Sequence, residues 1–217
     1  MNILVTGAKG FIGRNLINYI NDNYDFNIIE FSKNEDLNFL ENKLMKSDFI
    51  IHLAGVNRPK EKKLFNEINV NLTKYICDIL IKNSLDKPII FSSSTQSNLD
   101  NDYGRSKLEA ENILQRLSTK NKNPIYIFRL PGVFGKWAKP NYNSVVSTFC
   151  HNIANNKEII INDPDKILHL VYIDDVVRTF CNLLTNKKNG LSYQRIVPEY
   201  KITLKDLAHK IKSFNNQ

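Results

Sequence analysis

Short apolar runs alternate with segments of helical periodicity along most of the chain, and this alternation constrains the fold more than any other feature. The predicted strands are residues 3–5, 26–31, 49–53, 88–92, 125–130 and 170–173. Helical stripes follow at 64–82, after Tyr103 and from Leu204 onward, the last with Thr203 and Asp206 placed as a capping pair. Nearly all-apolar strands separated by helices predict an α/β fold with a doubly wound parallel sheet.

The alternation breaks between Gly135 and His169, where the polar and aromatic segment KWAKPNYNS is followed by a helix-like stretch. We predict a small substrate lobe there. Its residues are about 136–169 and 199–217, and the sheet core is about 1–135 and 170–198. Because no repeat or low-complexity linker divides the chain, one domain is expected to span 1–217.

The composition narrows the class of protein. The net charge is +8, but the lysines are scattered and arginines are few, so we expect an anionic small ligand rather than nucleic acid. No apolar run approaches the roughly 20 residues that a membrane-spanning helix needs, and the N-terminus lacks the form of a signal peptide. Three separated cysteines without a CxxC pattern suggest reduced thiols. These features predict a cytoplasmic protein that is not membrane-bound.

A glycine pattern lies directly between the first strand and its helix. In TGAKGFIG, Gly7, Gly10 and Gly13 are spaced GxxGxxG. Alone, such a pattern indicates only a tight turn. Glycines in this context, however, let the backbone N–H groups at a helix N-terminus approach a pyrophosphate. The loop therefore predicts a Rossmann-type dinucleotide site.

The end of the second strand bears on which dinucleotide binds. NAD-binding proteins usually place an acid there for the ribose 2′-OH, whereas NADP-binding proteins offer cations to a 2′-phosphate. Glu30 is interpreted as the only acid near that end, but Glu30 and Phe31 point to opposite faces of the sheet. Ser32, Lys33 and Lys9 of the glycine loop favour NADP over NAD, although both lysines are also compatible with simple solvation.

Tyr103 and Lys107 stand four residues apart, on one face of the predicted helix. A nearby ammonium favours the phenolate and would lower the pKa of a tyrosine from about 10. A serine at the end of the preceding strand is suited to bind a substrate carbonyl as charge builds on it. YxxxK alone indicates only a helix surface, but with the glycine loop and the serine-terminated strand it becomes a strong combined signal for a site that binds a substrate carbonyl.

The chain resembles the extended short-chain dehydrogenases/reductases that act on nucleotide sugars. Five segments match motifs of that class in order: TGAKGFIG, DFIIHLAG, FSSS, YGRSK and YIDDVV. The resemblance implies Tyr103 as catalytic acid/base, Lys107 as its partner and Ser94 as the carbonyl-binding hydroxyl, with Ser93 the alternative. The cofactor contacts expected in all are Gly7, Lys9, Gly10, Phe11, Ile12, Gly13, Ser32, Lys33, Leu53, Ala54, Gly55, Ser92, Tyr103, Lys107, Leu130 and Val133.

Within that class, HLAGVNRP and GKWAKPNYNSVVSTFC resemble the reductases of UDP-N-acetyl-L-fucosamine synthesis, which serve capsular polysaccharide and O-antigen sugars. This resemblance implies NADPH-dependent reduction of the C4 ketone of a UDP-2-acetamido-2,6-dideoxy-4-hexulose. The implied substrate contacts are Arg58, Ser94, Lys136, Lys139, Asn141 and Asn143. For Trp137 and Tyr142, packing under the lobe and stacking on the substrate both remain open.

The resemblance also carries expectations about partners. Extended members often form homodimers. Relatives of this type continue into a C-terminal cupin domain that is absent here. We expect either a truncated chain or a natural short form whose cupin partner is encoded separately, with a thin substrate lobe in both cases. Gly132 stands where the class usually has an asparagine, which predicts a missing contact near the nicotinamide.

Two rival functions share these motifs. An NAD-retaining 4-epimerase or 4,6-dehydratase uses the same triad, but dehydratases usually add an acidic pair where this chain reads STQSN. The other rival is a nucleotide-binding protein without catalysis. No metal site is expected, because the histidines show no ligand spacing and Asp174-Asp175 suits helix capping. His52, inside an apolar strand, is expected to be a satisfied core histidine.

Overall fold

The computed structural model describes residues 1–33, 35–186 and 189–215. Its strands are β1 (Asn2–Thr6), β2 (Asn27–Phe31), β3 (Phe49–His52), β4 (Ile89–Ser94), β5 (Ile125–Leu130), β6 (Gly132–Phe134), β7 (Ile167–Tyr172), β8 (Leu191–Gln194) and β9 (Tyr200–Thr203). Six of them form one sheet in the order β2-β1-β3-β4-β5-β8, and every neighbouring pair is parallel.

The helices are α1 (Phe11–Asn23), α2 (Leu37–Lys46), α3 (Leu72–Lys82), α4 (Asp102–Asn121), α5 (Val145–Ala154), α6 (Ile173–Thr185) and α7 (Leu204–Asn215). Of these, α1 and α6 cover one face of the six-stranded sheet, and α2, α3 and α4 cover the other. A π-helical segment, Phe65–Asn71, leads into α3, and a 3-10 turn, Thr95–Asn98, follows β4.

The pleat of the strands divides the core into two layers. Along β3, Phe49 and Ile51 pack in the cluster that contains residues of α1 and α6, whereas Ile50 packs with residues of α2, α3 and α4. Successive side chains of a strand point to opposite faces, so an all-apolar strand supplies both layers at once. The predicted doubly wound α/β fold is therefore confirmed.

A second, three-stranded sheet, β6-β7-β9, stands apart from the main one. Beside it, Phe149 of α5 packs with Leu207, Ala208 and Ile211 of α7 in a separate small core. Thr203 Oγ1 accepts a hydrogen bond from the Asp206 backbone at 3.1 Å, so the predicted cap of α7 is present. β7 begins at Ile167, earlier than the predicted strand, because its first residues pair with β9. The exact lobe boundaries stay a prediction.

Helix α2 was not predicted from the sequence. Asp36 caps it by accepting a hydrogen bond from Asn38 N at 2.9 Å, and Leu40 and Leu44 are its buried residues. Leu37, Phe39 and Met45 on the same helix are exposed. These exposed apolar residues obscure the helical period that the two buried leucines would otherwise show.

His52 is a satisfied core histidine, as predicted. Its side chain is 1% exposed, with Nδ1 2.6 Å from Thr6 Oγ1 and Nε2 3.0 Å from Thr73 Oγ1. Thr73 donates its own proton to Asn69 O, so Nε2 of a neutral His52 donates to Thr73 and Nδ1 accepts from Thr6. Burial, reinforced by the charge of Lys107, lowers the pKa of His52 from 6.5 to about 3.

Replacing His52 by Gln is expected to make the protein less sensitive to acid. Between pH 6.5 and about 3 the unfolded wild type binds a proton at His52 that the folded protein refuses. Stability from this neutral histidine is therefore present above pH 6.5 and lost as the pH falls, at about 1.4 kcal/mol per pH unit.

Urea unfolding at several pH values measures this slope. The free energy of unfolding of the His52→Gln variant should depend on pH less steeply than that of the wild type, because the proton that His52 takes up on unfolding is lost. His209→Gln, at an exposed position, should keep the wild-type slope. Equal slopes for wild type and His52→Gln would show that the folded state does bind that proton.

Candidate active site

The glycine loop is held against the ends of β2 and β3. Gly7 has φ +70°, and a Cβ there would lie 2.7 Å from Ala54 N, so only glycine fits. Its N–H donates to Phe31 O at 3.0 Å, and Leu53 N donates to Thr6 O at 3.1 Å. These bonds bring the loop and the predicted contacts Leu53, Ala54 and Gly55 to one edge of the sheet.

Helix α1 begins at this loop in a form that suits an anion. Gly10 is its N-cap, the first turn contains no acid, and no described side chain caps it. The first-turn N–H groups, those of Phe11, Ile12 and Gly13, therefore remain available for hydrogen bonding. A helix N-terminus of this kind fits the pyrophosphate of a dinucleotide.

The end of β2 holds a carboxylate that the sequence analysis missed. Glu35 accepts a hydrogen bond from Ser32 N at 2.8 Å and contacts the Ser32 hydroxyl at 3.3 Å. Lys43 pairs with Glu35 in turn. Burial would raise the pKa of Glu35, but hydrogen bonds from Lys43 and Ser32 outweigh it and the pKa is lowered. The interpretation of Glu30 as the only acid near this end was wrong, because the chain folds back from Glu35 to Ser32.

A cavity of about 470 Å³ adjoins the glycine loop. It is lined by Ala8, Lys9, Arg14, Ile17, Asn18, Glu30 and Trp137. Arg14 was not predicted as a site residue, because it follows the glycine motif rather than belonging to it. Its guanidinium lies 5.1 Å from the centre of the Trp137 ring. Lys9 and Arg14 thus line the same cavity. Lys33 is exposed and is not among the residues that line it.

Lys107 is almost fully buried, with 4% of its surface exposed. Its ammonium donates to Ser92 O at 2.9 Å and lies 4.9 Å from the centre of the Phe91 ring. Burial lowers the pKa of Lys107 from 10.5 to about 8, and Glu111 partly offsets that shift. A Cβ on Gly55 would lie 3.1 Å from this ammonium, so Lys107 borders the predicted cofactor edge.

Tyr103 lies at the start of α4, half-buried, one turn before Lys107. Burial raises the pKa of its hydroxyl above 10.0, a hydrogen bond with Ser94 offsets part of the rise, and Tyr142 adds to it. The prediction that Lys107 lowers the pKa of Tyr103 is therefore wrong for this structure. The cause is that burial outweighs other influences, while the Lys107 ammonium is directed to Ser92 O.

The two candidate serines face different partners. Ser94 contacts the Tyr103 hydroxyl and also accepts a hydrogen bond from Gln96 N at 3.2 Å. Ser93, one residue earlier on β4, hydrogen-bonds the buried carboxylate of Glu111. Because neighbouring residues of a strand point to opposite faces, only Ser94 is directed at the tyrosine. The geometry therefore favours Ser94 over Ser93 as the hydroxyl that binds the substrate carbonyl.

Asn69 is a further residue that the sequence analysis missed. It lies in the π-helical segment, is 1% exposed, and accepts from Val56 N at 2.8 Å while donating to Val56 O at 3.0 Å. It also donates to Ser106 Oγ on α4 at 2.9 Å. Asn69 thus fixes the loop after β3 to the helix that carries Tyr103 and Lys107.

The predicted substrate residues lie on exposed surface after β3 and β6. Arg58, Lys139, Asn141 and Asn143 are largely solvent-exposed. Lys136 lies 3.5 Å from Asp174, in the first turn of α6. Asp174 and Asp175 do not cap that helix, since Tyr172 is its N-cap. Trp137 is 43% exposed and contacts Arg14 of α1, and whether it packs under the lobe or stacks on a substrate stays a prediction.

Gly132 has a packing reason to be glycine. A Cβ there would lie 2.9 Å from Leu170 Cδ2 and 3.2 Å from His169 O, on the paired strand β7. An asparagine would require the Leu170 side chain to shift and the contact with His169 O to relax by a few tenths of an ångström. Of the neighbouring predicted cofactor contacts, Leu130 is buried in the core and Val133 is half-buried.

The described residues show neither a metal-binding cluster nor a membrane-spanning helix. Residues 1–33, 35–186 and 189–215 contain no cluster of three or more His, Cys, Asp or Glu side chains placed to hold a metal. Within the same ranges, no helix has the length and apolar character to cross a membrane.

Known proteins are similar to this chain in both sequence and fold. A UDP-2-acetamido-2,6-beta-L-arabino-hexul-4-ose reductase of Pseudomonas aeruginosa is 43% identical over 216 residues, covering 100% of this chain and 58% of the relative. The crystal structure of the capsular polysaccharide assembling protein CapF from Staphylococcus aureus superposes with a TM-score of 0.87 at 39% identity, again covering 100% and 58%. The chain thus spans less than two thirds of the length of these relatives.

More distant structures share the fold alone. A UDP-glucuronic acid 4-epimerase from Bacillus cereus, in complex with NAD, superposes with a TM-score of 0.88 at 21% identity, covering 100% of this chain and 85% of that one.

The sequence profile of the NAD dependent epimerase/dehydratase family matches residues 3–197. Together with the glycine loop, the serine-terminated strand and the Tyr103–Lys107 helix, this match shows that the chain belongs to the NAD dependent epimerase/dehydratase family.

Proposed function

We propose that this chain catalyses the NADPH-dependent reduction of the C4 ketone of a UDP-2-acetamido-2,6-dideoxy-4-hexulose. The observation that carries the proposal is the placement of Ser94 against the Tyr103 hydroxyl, with Lys107 one turn further along α4. The identity of 43% to a relative named as such a reductase supports the substrate class.

The protonation state of Tyr103 favours the reductive direction. Bound NADPH would supply the hydride to the ketone carbon. As negative charge builds on the carbonyl oxygen, the Ser94 hydroxyl donates a hydrogen bond to it and Tyr103 transfers its proton to it. Because burial raises the pKa of Tyr103, the hydroxyl holds that proton at neutral pH. The group is therefore present in its acid form, as reduction requires.

The UDP portion of the substrate calls for cations and amides. Arg58, Lys136, Lys139, Asn141 and Asn143 are proposed to hold the diphosphate and the N-acetyl sugar. Of these, Lys136 forms an ion pair with Asp174, with 3.5 Å between Nζ and Oδ1. Tyr142, from the same segment, raises the pKa of Tyr103, which supports an approach of this loop to the reacting centre.

Lys9 and Arg14 are proposed to bind the 2′-phosphate of NADPH. Both line one cavity, in which Glu30 is the acid among the lining residues. The Lys9→Ala/Arg14→Ala double variant should bind NADPH at least about tenfold more weakly, since charge-assisted hydrogen bonds to a phosphate are lost, and bind NADH as before. Calorimetric titration with each cofactor measures both affinities.

Lys33→Ala is the matched variant, because Lys33 was predicted for the same phosphate but does not line the cavity. It should change NADPH affinity less than the double variant does. A wild-type preference for NADH, or NAD that co-purifies with the protein, would overturn the NADPH assignment and favour a 4-epimerase instead.

Turnover is measured by loss of NADPH absorbance on addition of the UDP-ketosugar, with identification of the product sugar. NADPH binding without any turnover would instead favour a nucleotide-binding protein that lacks catalysis. A homodimer and a separately encoded cupin partner stay predictions from the resemblance, and a cytoplasmic location stays a prediction from the composition.

A further inference from the structure

A third residue, Glu111, continues the helical face that carries Tyr103 and Lys107. The three stand four residues apart in succession on α4. Glu111 is 1% exposed, which is unusual for a carboxylate unless it is paired. Its hydrogen-bond partners lie on β4, β5 and β8 and include none of the residues that border the predicted cofactor edge, so we expect it to act through its neighbours and not by touching the substrate.

The Glu111 carboxylate joins three strands of the sheet. Arg129 of β5 binds it through Nη2 at 2.7 Å and through Nε at 3.1 Å. Tyr193 of β8 donates its hydroxyl at 3.2 Å, and Ser93 of β4 donates the hydrogen bond described above. A buried carboxylate with this many donors is held in one position.

These contacts fix the segment on both sides of Ser94. Ser93 is anchored to Glu111 directly. Beyond Ser94, Arg129 Nη1 donates to Asn98 Oδ1 at 2.8 Å and so holds the 3-10 turn that follows. The orientation of the Ser94 hydroxyl toward Tyr103 therefore depends on the Glu111–Arg129 pair.

Glu111 also affects the protonation of Lys107: burial lowers the pKa of Lys107, and the negative charge of Glu111 partly offsets that shift. The titratable groups around Lys107 are His52 on β3, and Tyr103 and Glu111 on α4. His52 is neutral, and Glu111 is the anion among them. Around Glu111 itself stand Arg129 on β5, Tyr193 on β8 and Lys107.

We propose that Glu111 is a positioning residue of this reductase, which holds Ser94 in place through Ser93 and Arg129 and stands one helical turn from Lys107 as its counter-charge. The inference rests on the proposed function and assigns a role to a residue outside the Ser94–Tyr103–Lys107 group. Glu111 acts on the reaction only through these neighbours.

Glu111→Gln tests both roles, because it keeps the shape of the side chain but removes the charge. We expect kcat to fall about tenfold, as Ser94 loses its fixed position. We also expect the alkaline limb of the pH profile of kcat/KM to move to lower pH, since Lys107 then loses its proton more readily. The exposed Glu109, which pairs with Arg116 at 3.2 Å on the same helix, provides the matched control Glu109→Gln. That variant should match the wild type in both readouts.

A purely structural role for Glu111 would lower the melting temperature but leave the alkaline limb in place, and that result would overturn the proposal. Should Glu111→Gln not fold, Ser93→Ala keeps the ion pair and removes only the link to β4. We expect it to lower kcat several-fold with the alkaline limb unchanged, as one hydrogen bond is lost. A wild-type kcat in Ser93→Ala would also overturn the proposal.

The pH dependence of NADPH binding separates this inference from the proposed function. Wild-type protein that binds NADPH but does not reduce the UDP-ketosugar would refute the function. In that case Glu111→Gln should still lose NADPH affinity at a lower pH than the wild type, because Lys107 is placed at the cofactor edge. An unchanged binding profile would refute the role of Glu111.

Discussion

Tyr103→Phe is expected to reduce kcat by about 10³-fold, because general acid catalysis contributes 10²- to 10⁴-fold. The change removes one oxygen atom, the one that contacts Ser94. Affinity for NADPH should stay within about twofold, since a hydroxyl that donates only during the reaction adds little to ground-state binding. Steady-state kinetics with the UDP-ketosugar, alongside calorimetric titration with NADPH, measure the two quantities.

Tyr142→Phe is the matched control for this prediction. Tyr142 adds to the rise in the pKa of Tyr103 that burial causes, but it is 42% exposed and lies on the segment between β6 and α5. Its loss should affect KM more than kcat. Should Tyr142→Phe abolish turnover while Tyr103→Phe retains it, the two roles are reversed, and the proton comes from the substrate loop rather than from α4.

The parts of the fold that follow from local periodicity were predictable from the sequence. Strands β1, β3, β4 and β5 each contain a continuous apolar run of at least three residues, and such runs are typical of parallel strands buried between two helical layers. The spacing of Tyr103 and Lys107 likewise placed both on one face of α4. The same rule extends four residues further to Glu111, so the sequence did contain a signal for that residue.

What could not be predicted depends on how the chain folds back on itself. Glu35 meets Ser32 only because the loop after β2 turns back, and the sequence gives no period for that turn. Arg14 meets Trp137 across more than a hundred residues. The pKa of Tyr103 depends on the balance between burial and charge, and residue spacing shows the charge but not the burial.

The buried Lys107 leads to a second large expected effect, in which stability and activity change in opposite directions. Lys107→Met should lower turnover at least about 100-fold, because a misplaced reacting group alone can have that effect. At pH 7 the same variant should be more stable than the wild type. Methionine fills a similar volume and has no charge that burial would disfavour.

The size of the gain follows from the pKa of Lys107. A fall from 10.5 to about 8 corresponds to about 3 kcal/mol of unfavourable burial of the charged form. Loss of the hydrogen bond to Ser92 O, which is 2.9 Å long, offsets about 1 kcal/mol of that gain. The net expectation is a free energy of unfolding about 2 kcal/mol higher at pH 7.

The pH dependence decides whether the buried charge is the cause. Below about pH 8 Lys107 is protonated in both folded and unfolded wild type, so the folded protein bears the full cost of the buried charge. Between about 8 and 10.5 the folded state releases its proton while the unfolded state still binds one, and wild-type stability rises relative to the variant. The advantage of Lys107→Met should therefore shrink across this range in urea unfolding experiments.

Lys74→Met, at an exposed position on α3, should show neither the gain in stability nor its pH dependence. A Lys107→Met variant that is less stable than the wild type at pH 7 would mean that the ammonium contributes more through Ser92 and Phe91 than its burial costs. If the expected result is found, the protein keeps a charge that the reaction needs although that charge lowers its free energy of unfolding. Such opposition is common at active sites, where a destabilised arrangement is kept for its function.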